Sequence, residues 1–319
     1  SSSPATLEAA KAVDAFGLIA GNTIEQSDAE QAYVQARLKG TPTWVRLPRD
    51  RWPPEWEGMT DPVVPLALAL YGHPDSGGYW EKHCEEQLRK VGFSPVPLWG
   101  SMFYHPGLQL LLMVYVDDFK MAGSQHNLER GWKLIREHIS MDEPVPVNRC
   151  LGCLHKIHRE KTSTGFRKVI EYDMEDFMSD CVKQYLTLAQ VPEGSLRPAA
   201  TPFLEDSISD VSPKGEKDSD KGVLQPIACR VLMKILYGAR LARFDLLRAV
   251  GALASNVATW DKSCDRKLHR LVAYINSTKG YRMTGYCSES ATFDSLSLAL
   301  CADADFAGCP RTVRSSSGT

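Results

Sequence analysis

The stretch Leu110-Leu111-Leu112-Met113-Val114-Tyr115-Val116-Asp117-Asp118-Phe119 decides how this chain is read. Its first part is an uninterrupted apolar run of the kind that forms a buried strand, and it delivers two adjacent carboxylates to the strand's end. Like charges this close raise each other's pKa unless a cation lies between them. A divalent metal is the natural remedy. Mg²⁺ takes hard oxygen ligands, commonly one or two carboxylates plus substrate phosphates, so a paired-Asp hairpin tip points to phosphoryl-transfer chemistry. The plainer alternative is an Asp-Asp turn joining two strands, since Asp is a frequent turn residue. From the run alone both readings stand.

Outward from the tip, the apolar spacing predicts an α+β arrangement. Trp80, Cys84, Leu88 and Val91 recur at helical spacing over residues 79–91, with Gly92 as the C-terminal stop. After the hairpin, Leu128, Trp132, Ile135 and Ile139 form a second stripe with Ser124 placed as its cap. Strand, tight turn, strand and helix is the pattern of a palm-like sheet in which carboxylates from separate strands can converge. A third helix is expected around Met178, Val182, Tyr185 and Leu186. The Trp and Met residues of these stripes read as core. From Leu204 to Gly222 the composition changes to Glu, Asp, Ser, Lys and Gly, which supplies no core and reads as an exposed linker. Beyond it, Ile227, Val231 and Ile235, then Leu246, Val250, Leu253 and Val257, predict two helices; Leu268, Leu271, Val272 and Ile275 predict another. Leu296, Leu298 and Leu300 alternate with small or polar residues and predict a strand leading to Asp303.

Composition sets broad bounds. At 319 residues and 43% hydrophobic content the chain is long enough for two packed domains. A formal net charge of −2 gives no global cationic field, so any grip on phosphates must be local. The candidate patch is Arg37, Lys39, Arg46, Arg49 and Arg51 with Trp44 and Trp52 among them, suited to backbone neutralisation and base stacking; a solvated loop around Pro48, Pro53 and Pro54 is the alternative. Nine cysteines show no regular framework, the N-terminus lacks the features of a signal peptide, and no apolar run reaches membrane-spanning length. The expectation is an intracellular protein with reduced, mostly buried thiols and no membrane partner. Cys150, Cys153, His155 and His158 could ligate zinc, but their spacing is tighter than the usual finger patterns and the alternation around Leu151, Cys153 and Leu154 suits a strand.

A family resemblance separates the two readings of the tip. Tyr115-Val116-Asp117-Asp118 resembles the YVDD box of reverse transcriptases, and its surroundings resemble the copia-type branch of long-terminal-repeat retrotransposon Pol polyproteins. Asp28 to Leu38 is similar to the family segment D-x-x-x-A-F-L-x-x-x-L, with Asp28 matching its aspartate. Leu70-Tyr71-Gly72 through Trp80, and then Gly92-Phe93, resemble the block LYGLKQAPRAW and the GF that follows. Leu151-Gly152-Cys153 resembles the FLG strand, and Ala200-Thr201-Pro202-Phe203 the TPM turn. Leu236 to Arg240, Tyr274 and Thr278-Lys279-Gly280 resemble the block between polymerase and ribonuclease H. Ala302 to Gly308 and Arg314 to Gly318 resemble SDADWAG and RRSTSG, the opening of ribonuclease H. The blocks follow family order along nearly the whole chain.

The resemblance implies an RNA-directed DNA polymerase acting on an RNA or DNA template-primer and deoxynucleoside triphosphates with Mg²⁺ or Mn²⁺. It assigns Asp28, Asp117 and Asp118 as catalytic metal ligands, with Tyr33, Asp75, Tyr115 and Val116 near substrate and Asp303 as the first carboxylate of an incomplete ribonuclease-H-like site. It implies a reverse transcriptase region over residues 1–203 (partial fingers, palm and the start of the thumb), a linker over 204–222, a helical connection over 223–280 and a truncated ribonuclease-H-like start over 281–319. Where the family block has lysine, glutamine and arginine, this chain has Pro74, Asp75 and Gly78. That substitution loses cationic contacts and adds an acid. It reflects either a different way of positioning substrate or a decaying, catalytically inactive remnant that at most binds nucleic acid.

Overall fold

The structure, a computed structural model, describes residues 4–204 and 221–301, with the backbone of 304–305 and 316–317. The fold is mixed α+β, and two compact units divide it. One takes the residues up to 151 with 158–170 and 286–290; the other takes 152–157, 171–285 and those from 291 onward.

In chain order the first unit begins with α1 (Leu7–Leu18), whose Thr6 Oγ1 accepts a hydrogen bond from the Ala9 N–H at 3.2 Å and so caps the helix. Then come β1 (Asn22–Asp28), the short pair β2 (Trp44–Val45) and β3 (Val64–Pro65), and α2 (Ser76–Lys90). There follow β4 (Ser94–Pro95), β5 (Met102–His105), β6 (Leu110–Tyr115), β7 (Asp118–Ser124), α3 (Gln125–Arg136) and β8 (Val145–Pro146). Six of these strands form one sheet in the order β4-β5-β6-β7-β1-β8.

The register assigns its faces. Asp28 lies opposite Asp118, Gln26 opposite Lys120 and Ile24 opposite Ala122, while Tyr115, Met113 and Leu111 continue the same face on β6. Helix α1 covers part of this face closely enough that a Cβ on Gly17 would stand 2.1 Å from Ile24 Cγ1, so only glycine fits. On the opposite face Leu110, Leu112, Val114, Phe119 and Met121 pack with Trp80, Cys84 and Leu88 of α2 and with Leu128, Trp132 and Ile135 of α3. Each such side chain contributes about 1.5–3 kcal/mol when fully buried, and this core fixes the strands that carry the carboxylates. Gly92 follows α2 with φ +94°, the left-handed stop its position predicts. Ser124 occupies the N-cap position of α3, but its side chain makes no capping bond, contrary to expectation.

A second sheet consists of β9 (Arg149–Cys150), β10 (Cys153–Thr162), β11 (Gly165–Asp173) and β12 (Met283–Ser288), in the order β12-β11-β10-β9. Leu151 and Gly152, matched above to a strand, are instead a two-residue turn with φ +50° and +75°, the paired positive values of a tight hairpin.

The second unit packs α4 (Glu175–Ala189), α5 (Gln225–Leu241), α6 (Leu247–Ala254) and α7 (Lys262–Ser277). Helix α6 stops before Val257, which the apolar spacing had included, because the side chains of Ser255 and Asn256 both donate to the Ala252 carbonyl, at 2.9 and 2.7 Å. Residues 296–300 form no strand: Leu298 and Leu300 are fully exposed, and alternation without a hydrogen-bonding neighbour or a covering layer does not hold a strand. Asp303 and most of the 204–222 linker lie outside the described residues. Among the described residues no helix is long and apolar enough to cross a membrane.

Candidate active site

Val116 and Asp117 form the two-residue turn between β6 and β7, flanked by the last ladder pair, Tyr115 with Asp118. Val116 has φ +58°. A β-branched residue in the left-handed region is strained by about 1–3 kcal/mol and persists only where its surroundings over-determine it. Two hydrogen bonds do so here. The indole Nε1–H of Trp80 donates to Val116 O at 2.6 Å, and the Ala29 N–H donates to Asp117 O at 2.8 Å.

Strand pairing brings Asp28 across from Asp118, and their side chains are hydrogen-bonded. Burial is the main cause that pushes the Asp118 carboxyl up to about 6, with the charges of Asp28 and Asp117 adding to it. Below that value Asp118 is the member of the pair that carries a proton; above it both carboxyls are ionised and repel each other. The Asp28 carboxyl is itself raised, first by burial and then by Asp117 and Asp142. Asp142 escaped the sequence reading; it lies beside Asp28, its N–H donating to Asp28 O at 2.9 Å and its carbonyl accepting from Ser27 Oγ at 2.8 Å.

Tyr33 lies on a 3₁₀ turn (Ala32–Gln35) just after β1, and its ring packs on Tyr71 with centroids 4.6 Å apart. Burial, then Tyr71 and then Asp117 raise its hydroxyl pKa, so the tyrosine pair lies within the field of the turn carboxylates. Asp75 is placed differently: it is exposed at the N-cap position of α2 without a capping side chain, and its N–H donates to His73 Nδ1 at 3.2 Å.

A family model described as reverse transcriptase (RNA-dependent DNA polymerase) matches residues 1–189, more than half of the chain. The chain belongs to the reverse transcriptase family. No solved structure matches it. The matched region contains β1, the 70–80 segment, the β6–β7 turn and all the site residues described so far.

In this reverse transcriptase the carboxylate face also carries a buried ion pair. Lys120, two residues beyond Asp118, places Nζ 2.8 Å from Asp14 Oδ1, with both side chains 1% exposed. The Cys150 thiol is pushed up to about 11, chiefly by burial, and lies in the combined field of Lys120, Asp14, Asp118 and Asp28. No group of three or more His, Cys, Asp or Glu side chains is arranged to hold a metal ion among the described residues. Asp28 and Asp118 nevertheless fit Mg²⁺ or Mn²⁺ in the chemistry of their donors. They are hard oxygen ligands whose mutual repulsion a cation would relieve, and Mg²⁺ is commonly held by one or two carboxylates with substrate phosphates supplying the rest. The Cys150, Cys153, His155 and His158 set follows β9 and β10, with Cys150 and Cys153 buried and His155 Nδ1 3.0 Å from Cys153 O.

The basic-aromatic segment around β2 and β3 is surface. Trp44 is 59% exposed, the Arg49 guanidinium lies over the Trp52 ring at 5.4 Å, and Trp52 meets Trp56 edge-on. Arg46 pairs with Asp61 and Arg51 with Asp50 on the exposed side. The backbone of Arg37 bridges to Leu68, and the Lys39 carbonyl accepts from the Tyr79 hydroxyl.

Proposed function

We propose that this chain is an RNA-directed DNA polymerase of a copia-type retrotransposon, extending a primer on an RNA or DNA template from deoxynucleoside triphosphates. The observation that carries this reading is the pairing of the Asp28 and Asp118 carboxyls, from strands far apart in sequence, beside a strained turn that presents Asp117.

Asp28 and Asp118 would hold Mg²⁺ or Mn²⁺, with Asp117 adding its charge from the turn and becoming a third ligand only by moving in as the metal binds; the ion would lower the pKa of the primer hydroxyl and neutralise charge on the transferred phosphoryl group. The protein's part is positioning. Beside a bound cation Asp118 would favour its ionised form, so that it and Asp28 would both face the site as carboxylates. Tyr33, backed by Tyr71, offers a flat apolar wall for the incoming sugar, and Tyr115 and Val116 lie beside the primer end. The exposed Trp44 and Arg49, with the half-buried Trp52, supply stacking and charge for unpaired template. The resemblance of Ala302 to Gly308 extends the reading to a ribonuclease-H-like segment with Asp303 as its first carboxylate.

The test is primer extension on a homopolymer RNA template with Mg²⁺ or Mn²⁺. Incorporation should vanish in Asp117→Asn, which keeps the shape but loses the charge. Synthesis at the parent rate in that variant would refute the assignment.

A further inference from the structure

Trp80 is 1% exposed, packed in the core with Cys84, Leu88 and Phe119, so its indole donor is held rigidly. That donor reaches 36 residues along the chain to the carbonyl of Val116, the residue at φ +58° in the catalytic turn. Burial alone would be served by any acceptor. Here the bond falls on the strained residue, and the next carbonyl, that of Asp117, is held by the N–H of Ala29, the residue that follows Asp28 at the end of β1. Two consecutive turn carbonyls are thus tied to two separate elements. The tie to α2 opposes the relaxation of Val116 toward negative φ, a change that would swing Asp117 away from the Asp28–Asp118 pair.

We propose that Trp80 is a positioning residue of the polymerase site, its indole N–H holding Val116 in the left-handed conformation from which Asp117 and Asp118 are presented. This rests on the polymerase reading of those carboxylates, and the test separates the two. Four full-length proteins are compared: parent, Trp80→Phe, Val116→Gly and the double variant. Phenylalanine keeps an aromatic ring in the core and removes the donor; glycine adopts positive φ without strain and needs no clamp. In the parent background Trp80→Phe should lower kcat by about tenfold, the scale of one lost hydrogen bond plus released strain. Nucleotide KM should change by less than about twofold, because ground-state binding is untouched. In the Val116→Gly background the same change should cost less than about threefold in kcat, since the two effects are coupled. The smaller ring leaves the same gap in both backgrounds, so equal losses would overturn the proposal.

A parent with no polymerase activity would overturn the proposed function instead. The same four proteins then decide the clamp by urea unfolding: Trp80→Phe should lower the midpoint more with Val116 present than with glycine, and additive shifts would refute it.

Discussion

Replacing Asp118 with asparagine should stabilise the metal-free protein at alkaline pH while removing its chemistry. The Asp118 carboxyl is raised from 3.8 to about 6, first by burial and then by the charges of Asp28 and Asp117. A raised folded pKa favours folding fully below the unfolded value, and that contribution is lost as pH climbs through the folded value. The loss therefore runs from 3.8 to about 6, and above it the folded state carries a penalty. One pKa unit is about 1.4 kcal/mol, so roughly two units set a ceiling near 3 kcal/mol. The group is only partly buried, and solvent screening halves this to about 1.5 kcal/mol. An amide keeps the shape, can still donate to Asp28 and has no ionisation to suppress. Asp118→Asn should accordingly be about 1.5 kcal/mol more stable than the parent at pH 8 and equal to it at pH 4. In urea with a chelator present, that is a rise of about 0.5–1 M in the unfolding midpoint of the first unit at pH 8. Added Mg²⁺ should narrow the gap by relieving the repulsion in the parent. An unchanged or lower midpoint at pH 8, or an equal gain at pH 4, would refute the account of Asp118 as a carboxyl raised by burial beside Asp28 and Asp117.

The remaining predictions concern the neighbours of the pair. Lys120→Met takes the ammonium away from buried Asp14 and should cost about 3–5 kcal/mol in chemical denaturation, while Lys120→Met with Asp14→Leu should recover most of it; a single-variant loss under about 1 kcal/mol would show that the pair is not what holds α1 to β7. Asp75→Gln removes an exposed negative charge from a side chain that caps nothing, so nucleotide KM should fall with kcat little changed. Abolished synthesis in that variant would make Asp75 a required substrate contact.

The strand, turn, strand and helix around Asp117 and Asp118 are legible because an apolar run, two carboxylates and a helical stripe are local signals. So are the buried faces of α2 and α3, where Trp80, Cys84, Leu88, Leu128, Trp132 and Ile135 fall as their spacing predicts. The pairing of Asp28 with Asp118 is not local, and it entered through family resemblance rather than periodicity. Other features leave no periodic trace at all. A 3.6-residue stripe shows that Trp80 is buried but not where its N–H points. Lys120 interrupts an apolar strand, and nothing nearby in sequence announces Asp14, 106 residues away, as its partner. The expected strand at 296–300 failed for the complementary reason: period two reports which side chains could share a face, while a strand also needs a neighbour to pair with.

The 70–76 segment, where the chain departs most from its family block, bears on whether the site is maintained. Ser76 is buried, donates Oγ–H to Leu70 O at 2.7 Å and accepts from the Leu70 N–H at 3.0 Å, closing the loop on itself. His73 accepts from the Asp75 N–H through Nδ1, which leaves the proton of the neutral ring on Nε2, 3.2 Å from Thr43 Oγ1. The His73 N–H and the Ser76 N–H are satisfied as well, by Leu70 O and His73 O. Substitutions accumulating without constraint would leave buried donors and acceptors unmatched, at about 1–3 kcal/mol for each. Here Ser76, the buried one of the replacing residues, is matched to the Leu70 backbone, His73 accepts from the Asp75 N–H, and Tyr71 within the same loop backs Tyr33 beside Asp117. The segment thus keeps its buried hydroxyl satisfied despite the changed residues, and the Asp75→Gln assay is what separates a site that positions its substrate differently from a remnant that has lost one.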